Sequence, residues 1–363
     1  KGVFKIKNIN KILDIAIEKN ASDIHLTNNI NPVLRVDGEL EVLSNIEVSN
    51  KELLRTYTKE LFSEVDLESY KKNKYLDGSF QYKDSRFRVH IYRQMESDAI
   101  ALRLIPTEIP SFSELNLPLS LRKFTNLESG LVLIVGVTGS GKSTTLAAII
   151  DEINNNYKKH IITVENPVEF VHSHKKSIIN QREVGLDVID FSDAVKSAMR
   201  EDPDILLVGE LRDLETIRNA ITMAETGHLV FGTLHTRSAA ETVDRLIDVF
   251  PPNQQDQVRI QLSNSIQGIV SQELLPKVGG GRVPCCEVMF ATDAIRSLIR
   301  EQASPNSIID QMLMSSRKIG SQTKVQSLAN LVVNGLITRE VALSKVDSSD
   351  IENLNKMIIS MSK

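Results

Sequence analysis

The stretch from Gly136 to Ser143 reads GVTGSGKS and constrains this chain more than any other, because it joins an apolar run to a helix-compatible one. LVLIV at 131–135 is β-branched-rich and of strand length, while Thr144 to Glu152 carries Leu146, Ala147, Ile149 and Ile150 where a helix can bury them. A loop at that junction opens a helix whose first N–H groups have no intrahelical acceptor and can meet phosphate oxygens. Gly136, Gly139 and Gly141 let the backbone approach closely, Lys142 supplies a point charge, and the Ser143 hydroxyl suits magnesium. With Thr138, Ser140 and Thr144 filling out the loop, the stretch reads as a nucleotide site.

Further apolar runs of strand length follow: HIITV at 160–164, DILLV at 204–208 and LVFGTL at 229–234, separated by helix-like or mixed segments. Strands alternating with helices predict an α/β fold with a mostly parallel sheet. The first hundred residues differ. ILDIAIEK is helix-like, PVLRVDGELEVL reads as two strands around Asp37-Gly38, and RFRVHIYRQ alternates by twos, which together predict an α+β domain. Between them Pro106, Pro110 and Pro118 forbid a continuous helix. The expected division is therefore a domain over 1–105, a linker over 106–121 and a second domain over 122–363, with C-terminal helices from about Thr292.

A chain of 363 residues is long enough for two cores, and its formal charge of −4 with a pI near 6.1 gives no support to dedicated nucleic-acid binding. Neither a signal peptide nor an 18-residue apolar run is present, so a cytoplasmic location is expected; the sequence opens at Lys1, so residues upstream of it are expected too. Cys285 and Cys286 are adjacent, which is not zinc-ligand spacing; a buried strand pair or surface thiols is the reading.

Downstream of the loop, Asp204-Ile-Leu-Leu-Val-Gly-Glu210 places a carboxylate just past an apolar strand, where it can polarise an attacking water or hold it through magnesium. TVENPVE at 163–169 puts Glu165 and Glu169 after another strand; the segment is either a second carboxylate source or a turn around Pro167. His228 and His235 bracket the run LVFGTL. Their odd spacing points them to opposite faces unless Gly232 bulges the strand, and either could donate to a γ-phosphate.

GVTGSGKSTT, TVENPVE, REDPDILLVGELRD and TGHLVFGTLHTRSAAETVDRLIDVFP together resemble the four nucleotide motifs of the secretion ATPase superfamily that powers type II secretion and type IV pili. ASDIHL at 21–26 with PVLRVDGEL resembles the start of that family's N-terminal PAS-like domain, so the similarity spans nearly the whole chain. AIRSLIRE at 294–301 is similar to the C-terminal signature of the pilus-retraction branch, and the family's tetracysteine zinc loop is missing. The resemblance implies a PAS-like domain followed by a RecA-like ATPase domain, ATP and Mg2+ as ligands, and a homohexamer. It further implies an inner-membrane platform protein as partner, an extension ATPase beside it, and peripheral association with the cytoplasmic face of that membrane. The implied work is pilus retraction by depolymerising pilin into the membrane; the alternatives are a pilus-extension or type II secretion ATPase, or a nucleic-acid translocase.

Carried over by position, Lys142 and Ser143 bind phosphate and magnesium, Glu210 is the second-motif acid and a metal contact, Glu165 is the catalytic glutamate of the acidic box, and His228 with His235 forms the histidine box. Arg88 and Arg103 match the arginines such hexamers bring to the nucleotide. Asn166 stands where the acidic box usually has aspartate, Lys196 where relatives often carry arginine, and Ser297 where the signature has asparagine. In AIRSLIRE, Ile295, Leu298 and Ile299 share one helical stripe for packing, while Arg296 and Arg300 share another expected to contact a neighbour.

Overall fold

A computed structural model describes residues 8–106 and 108–361 of the chain; residues 1–7 and 362–363 of the two expected domains lie outside it. The chain forms two compact units that divide between Glu108 and Ile109, with Glu169–Val171 counted in the first.

The first unit holds α1 (Asn8–Glu18), β1 (Asp23–Leu26), β2 (Val33–Val36), β3 (Glu39–Val42), α2 (Lys51–Leu61), α3 (Glu64–Asn73), β4 (Tyr75–Tyr82), β5 (Ser85–Gln94) and β6 (Ser97–Ile105). Its strands form one antiparallel sheet in the order β3-β2-β1-β6-β5-β4. Asp37 and Gly38 both take positive φ, 49° and 89°, the two-residue turn that matches the twist of a hairpin between β2 and β3. The alternation in β5 sends Phe87, Val89 and Ile91 inward, where they meet Ile12 and Leu13 of α1 and Leu54 and Tyr57 of α2. Side-chain caps fix the helix starts: Asn50 accepts from the first turn of α2, and Ser63 and Asp66 form a reciprocal capping box on α3.

The second unit contains β7 (Gly130–Val135), α4 (Lys142–Asn156), β8 (His160–Glu165), β9 (Ile178–Glu183), α5 (Phe191–Ala198), β10 (Ile205–Val208), α6 (Leu214–Glu225), β11 (Leu229–Leu234), α7 (Ala239–Ile247), α8 (Pro252–Ser265), β12 (Ile266–Pro276) and β13 (Arg282–Phe290). It ends in α9 (Asp293–Arg300), α10 (Pro305–Ile319), α11 (Lys324–Val333), α12 (Arg339–Leu343) and α13 (Ile351–Met361). Its sheet runs β13-β12-β7-β11-β10-β8-β9, parallel throughout except for β13. Every residue of β7, β10 and β11 is buried because both faces are covered, which is why these strands read as unbroken apolar runs. One face packs on α5 to α10, the other on α4 and a short 3-10 turn at Leu119–Asn126.

Phe112, Leu117 and Leu121 lie in that second core, so the later half of the proline-rich stretch is anchored in the second unit by its own apolar side chains. The β12–β13 hairpin extends the sheet beyond what the strand runs predict, and Cys285 and Cys286 are buried on β13. Leu275, Val283 and Cys285 of the hairpin in turn pack against α11 to α13. The molecule therefore has the expected fold class, a sheet-rich N-terminal domain followed by a parallel-sheet α/β domain with a helical C-terminal part. No described helix is long and apolar enough to cross a membrane.

Candidate functional site

β7 ends at Val135, and the chain turns sharply because the next residue has no side chain. A Cβ at Gly136 would lie 2.3 Å from the Gln272 carbonyl oxygen and 2.6 Å from Ser140 Oγ, so no other residue fits there. Gly141, at φ 87°, then caps α4 with no side-chain hydrogen bond, which leaves the first-turn N–H groups of the helix for a ligand. Lys142 folds back across the loop, its Nζ donating to the carbonyls of Gly136 (2.7 Å) and Val137 (3.1 Å). Burial lowers the Lys142 pKa, and the Glu210 carboxylate opposes that shift. Ser140 is buried with its hydroxyl unpartnered, whereas Thr138, Gly139 and Ser143 are exposed and Thr144 half-buried along the same turn.

Glu210 follows β10 across Gly209, where the backbones of two strand ends nearly touch: a Cβ on Gly209 would sit 3.1 Å from the Val164 carbonyl oxygen and 3.2 Å from Glu165 Cα. That approach brings Glu165, the last residue of β8, beside the β10 end. Thr163 Oγ1 donates to Glu165 Oε1 at 2.7 Å, and Gln181 Nε2 reaches the same oxygen at 3.4 Å. Glu210 Oε1 is held by Arg212 Nε at 2.6 Å and lies 3.1 Å from His235 Nε2. Glu169 belongs to the first unit, so of the two glutamates in TVENPVE only Glu165 belongs to the second.

The structure thus brings Lys142, Glu165, Glu210 and His235 to the carboxyl edge of the parallel sheet. His228 stands elsewhere. It precedes β11, its Nδ1 3.1 Å from the Met223 carbonyl, and the strand that separates it from His235 spans roughly 20 Å. The bulge considered at Gly232 is absent: β11 keeps continuous parallel register with both neighbours. That glycine instead makes room for Leu211, whose Cδ1 would lie 2.8 Å from a Cβ there.

In the first unit, Arg88 and Arg103 face each other directly across the β5–β6 ladder, and Asp23 Oδ1 accepts from Arg103 Nε at 2.9 Å. Like charges opposite one another in a sheet are unfavourable, and the Asp23 carboxylate offsets that repulsion at Arg103.

The α9 stripe packs as its spacing predicts, with Ile295 and Ile299 buried and Leu298 against the same core. Within the chain both of its arginines are held, with Arg300 exposed. Arg296 donates to the carbonyls of Ser263 (2.7 Å) and Asn264 (2.9 Å) at the end of α8, satisfying orphan helix carbonyls, and to Gln267 Oε1 at 3.1 Å. Arg300 donates to Ser297 Oγ at 2.9 Å.

Residues 2–280 match the family described as Type II/IV secretion system protein. The chain belongs to that family. The secretion ATPase is 44% identical over 342 residues to the type IV pilus retractation ATPase PilT of Pseudomonas aeruginosa, covering 93% of this chain and 98% of that protein. It is also 44% identical over 321 residues to the twitching motility protein of Neisseria gonorrhoeae, covering 88% and 85%. Among solved structures it resembles the pilus retraction motor PilT with bound ADP, with a TM-score of 0.87 and 46% identity over 95% of this chain and 99% of that one. The Legionella pneumophila ATPase DotB follows at a TM-score of 0.74, 28% identity and coverage of 95% and 97%. This secretion ATPase is a nucleotide-hydrolysing enzyme, as its family and these relatives establish.

Arg212 escaped the sequence reading although it sits two residues past Glu210 in GELRD. The β12 strand escaped it too, because IQGIVSQELL mixes polar residues into an apolar run and resembles neither a clean strand nor a helix.

Proposed function

We propose that this chain is the ATP-driven motor of type IV pilus retraction, working as a homohexamer on an inner-membrane platform protein at the cytoplasmic face of the membrane, beside an extension ATPase. The observation that carries the reading is the pairing of an uncapped α4 start behind GVTGSGKS with a Glu210 carboxylate held by Arg212 and His235 near the Lys142 ammonium. The similarity to retraction ATPases over nearly the full chain supports the direction of work.

In this reading the triphosphate takes the α4 first-turn N–H groups and draws Lys142 Nζ from the Gly136 and Val137 carbonyls to its own oxygens. Thr138, Gly139, Ser140 and Thr144 line its path. The Ser143 hydroxyl and the Glu210 carboxylate are hard oxygen donors and fit Mg2+, which they would hold together with phosphate and water oxygens. Bound there, the ion supplies charge neutralisation on the phosphates. Glu165 orients the attacking water and accepts its proton, and His235 reports the γ-phosphate state to Glu210 through their 3.1 Å contact. Arg88 and Arg103 reach the phosphates when the domains of the ring close, and their release after hydrolysis drives the stroke.

The test joins chemistry to biology. Purified protein is expected to hydrolyse ATP, and a deletion strain to carry long, abundant fibres that do not retract. A deletion strain without fibres would assign the chain to extension instead.

A further inference from the structure

Three consecutive side chains of β12 reach three different parts of the second unit. Ser271 Oγ donates to the Arg237 carbonyl, two residues past His235, at 2.8 Å. Glu273 takes Lys324 of α11 at 2.9 Å and Lys345 beyond α12 at 3.5 Å. Gln272, buried between them, joins the middle of the phosphate loop to the first turn of α4: its Nε2 donates to the Ser140 carbonyl at 2.7 Å, and its Oε1 accepts from Thr145 Oγ1 at 2.8 Å.

The loop is shaped around this residue. A Cβ at Gly136 would strike the Gln272 backbone oxygen at 2.3 Å, and one at Gly141 would lie 2.8 Å from its Nε2. Gly136 thus gives way to the β12 backbone, and Gly141 to the Gln272 amide itself. Ser140, Thr145 and Gln272 are each almost wholly buried, so water cannot replace a lost partner. A primary amide is the side chain that donates and accepts in fixed relative geometry without charge; a carboxylate would repel both the Ser140 carbonyl and an incoming phosphate.

We propose that Gln272 is a positioning residue for nucleotide binding: its amide clamps the Ser140 carbonyl to the first turn of α4, holding the Gly136–Ser143 backbone in the shape that accepts phosphate. Its neighbours give the clamp a further consequence, since Ser271 and Glu273 tie the same strand to the segment after His235 and to the C-terminal helices. The inference rests on Gly136–Ser143 being the nucleotide loop. Wild-type protein that fails to bind ADP would overturn that reading, whereas the variants below bear on the clamp alone.

The experiment titrates fluorescently labelled ADP and measures KM and kcat for ATP in wild type, Gln272→Met, Thr145→Val and the double variant. Methionine keeps the length and volume of glutamine, and valine the outline of threonine, so each variant removes its hydrogen bond with little change of side-chain size. The expected result is an ADP affinity and an ATP KM about tenfold weaker in Gln272→Met, with kcat changed less than about threefold. Thr145→Val is expected to weaken binding less, and the double variant to be no worse than Gln272→Met, because both act through one clamp. Wild-type affinity and KM in Gln272→Met, or losses that add in the double variant, would overturn the proposal. So would a lower melting temperature with unchanged affinity, which is the mark of a merely structural amide. If Gln272→Met does not fold, Thr145→Val decides alone, and unchanged ADP affinity in it counts against the clamp.

Discussion

The two edges of the seven-stranded sheet are built from similar residues and differ in how completely those residues satisfy one another. At the amino edge the polar groups close on themselves. Asp204 accepts from the His160 backbone N–H at 2.8 Å and pairs with Lys159 at 3.3 Å. His160 uses Nδ1 on the Asp202 carbonyl and Nε2 on Asn180, and His228 sits against the Met223 carbonyl. At the carboxyl edge groups are left over: the α4 start has no side-chain cap, Ser140 Oγ is buried without a partner, and Lys142 Nζ holds only carbonyls of its own loop. An edge whose donors are unspent is prepared for a ligand, while an edge whose donors are spent holds the fold.

The largest effect that tests this contrast is at Lys142. Lys142→Ala removes the ammonium of the phosphate loop and is expected to weaken ATP binding about a hundredfold or more, since two charge-assisted contacts to phosphate oxygens, of roughly 1.5–3 kcal/mol each, are lost together. Equilibrium titration with labelled ATP checks it. Glu210→Gln leaves the loop intact, so binding should persist while turnover falls about a hundredfold. Near-normal turnover in that variant would falsify the role given to Glu210.

The histidines divide the edges most directly. His235→Ala deletes a group 3.1 Å from Glu210 and is expected to lower kcat by roughly tenfold or more; His228→Ala, at the closed edge, should stay within about twofold. Equal losses in steady-state hydrolysis would erase the distinction between the edges.

Much of the open edge is legible in the sequence because its chemistry is local. GVTGSGKS brings its glycines, lysine and serine within one turn, and apolar runs ending at Glu165 and Glu210 mark buried parallel strands. The histidine pair shows where local reading stops. Strand length puts two residues seven positions apart at opposite edges, and the register of β11 with β7 and β10 excludes the bulge that would have turned them to one face. The proline-rich stretch illustrates the same limit, since Phe112 and Leu121 are bound by long-range packing that composition does not encode. Arg296 is similar: helical spacing predicts its stripe, but not that α8 ends beneath it.

Arg296 therefore carries a smaller, structural expectation. Its guanidinium makes three hydrogen bonds on the α8 end and the start of β12, and burial lowers its pKa, as expected of a cation held away from water. Arg296→Ala should reduce stability by about 2 kcal/mol, the scale of lost charged hydrogen bonds, with ATP affinity unchanged at temperatures well below melting. Denaturant titration alongside ADP binding separates the two; loss of affinity without loss of stability would move Arg296 to the functional side.

The smallest expected effect concerns Glu287, a carboxylate buried on β13 whose oxygen accepts from the Ala239 N–H at 2.6 Å, at the start of α7. Burial raises its pKa, and the hydrogen bonds from the Ala239 and Lys324 backbones oppose that shift without cancelling it. A carboxyl whose folded pKa lies above its unfolded value contributes stability below the unfolded value and loses it as pH rises through the folded one. In the wild-type protein this group therefore makes the fold less stable toward neutral pH. Glu287→Gln keeps an acceptor for Ala239 and removes the titratable carboxyl, so its melting temperature at neutral pH should equal or slightly exceed that of wild type, and the two should converge as pH falls. The variant also separates two kinds of carboxyl group at one edge: Glu210 lies beside Arg212 and His235, where phosphate and water can reach it, whereas Glu287 is buried against the N–H of a helix start. Thermal denaturation of both proteins across the acidic to neutral range checks the sign. A Glu287→Gln protein that is less stable at neutral pH would mean that the charge itself holds α7, and the carboxyl edge would then contain a structural ion as well as reactive ones.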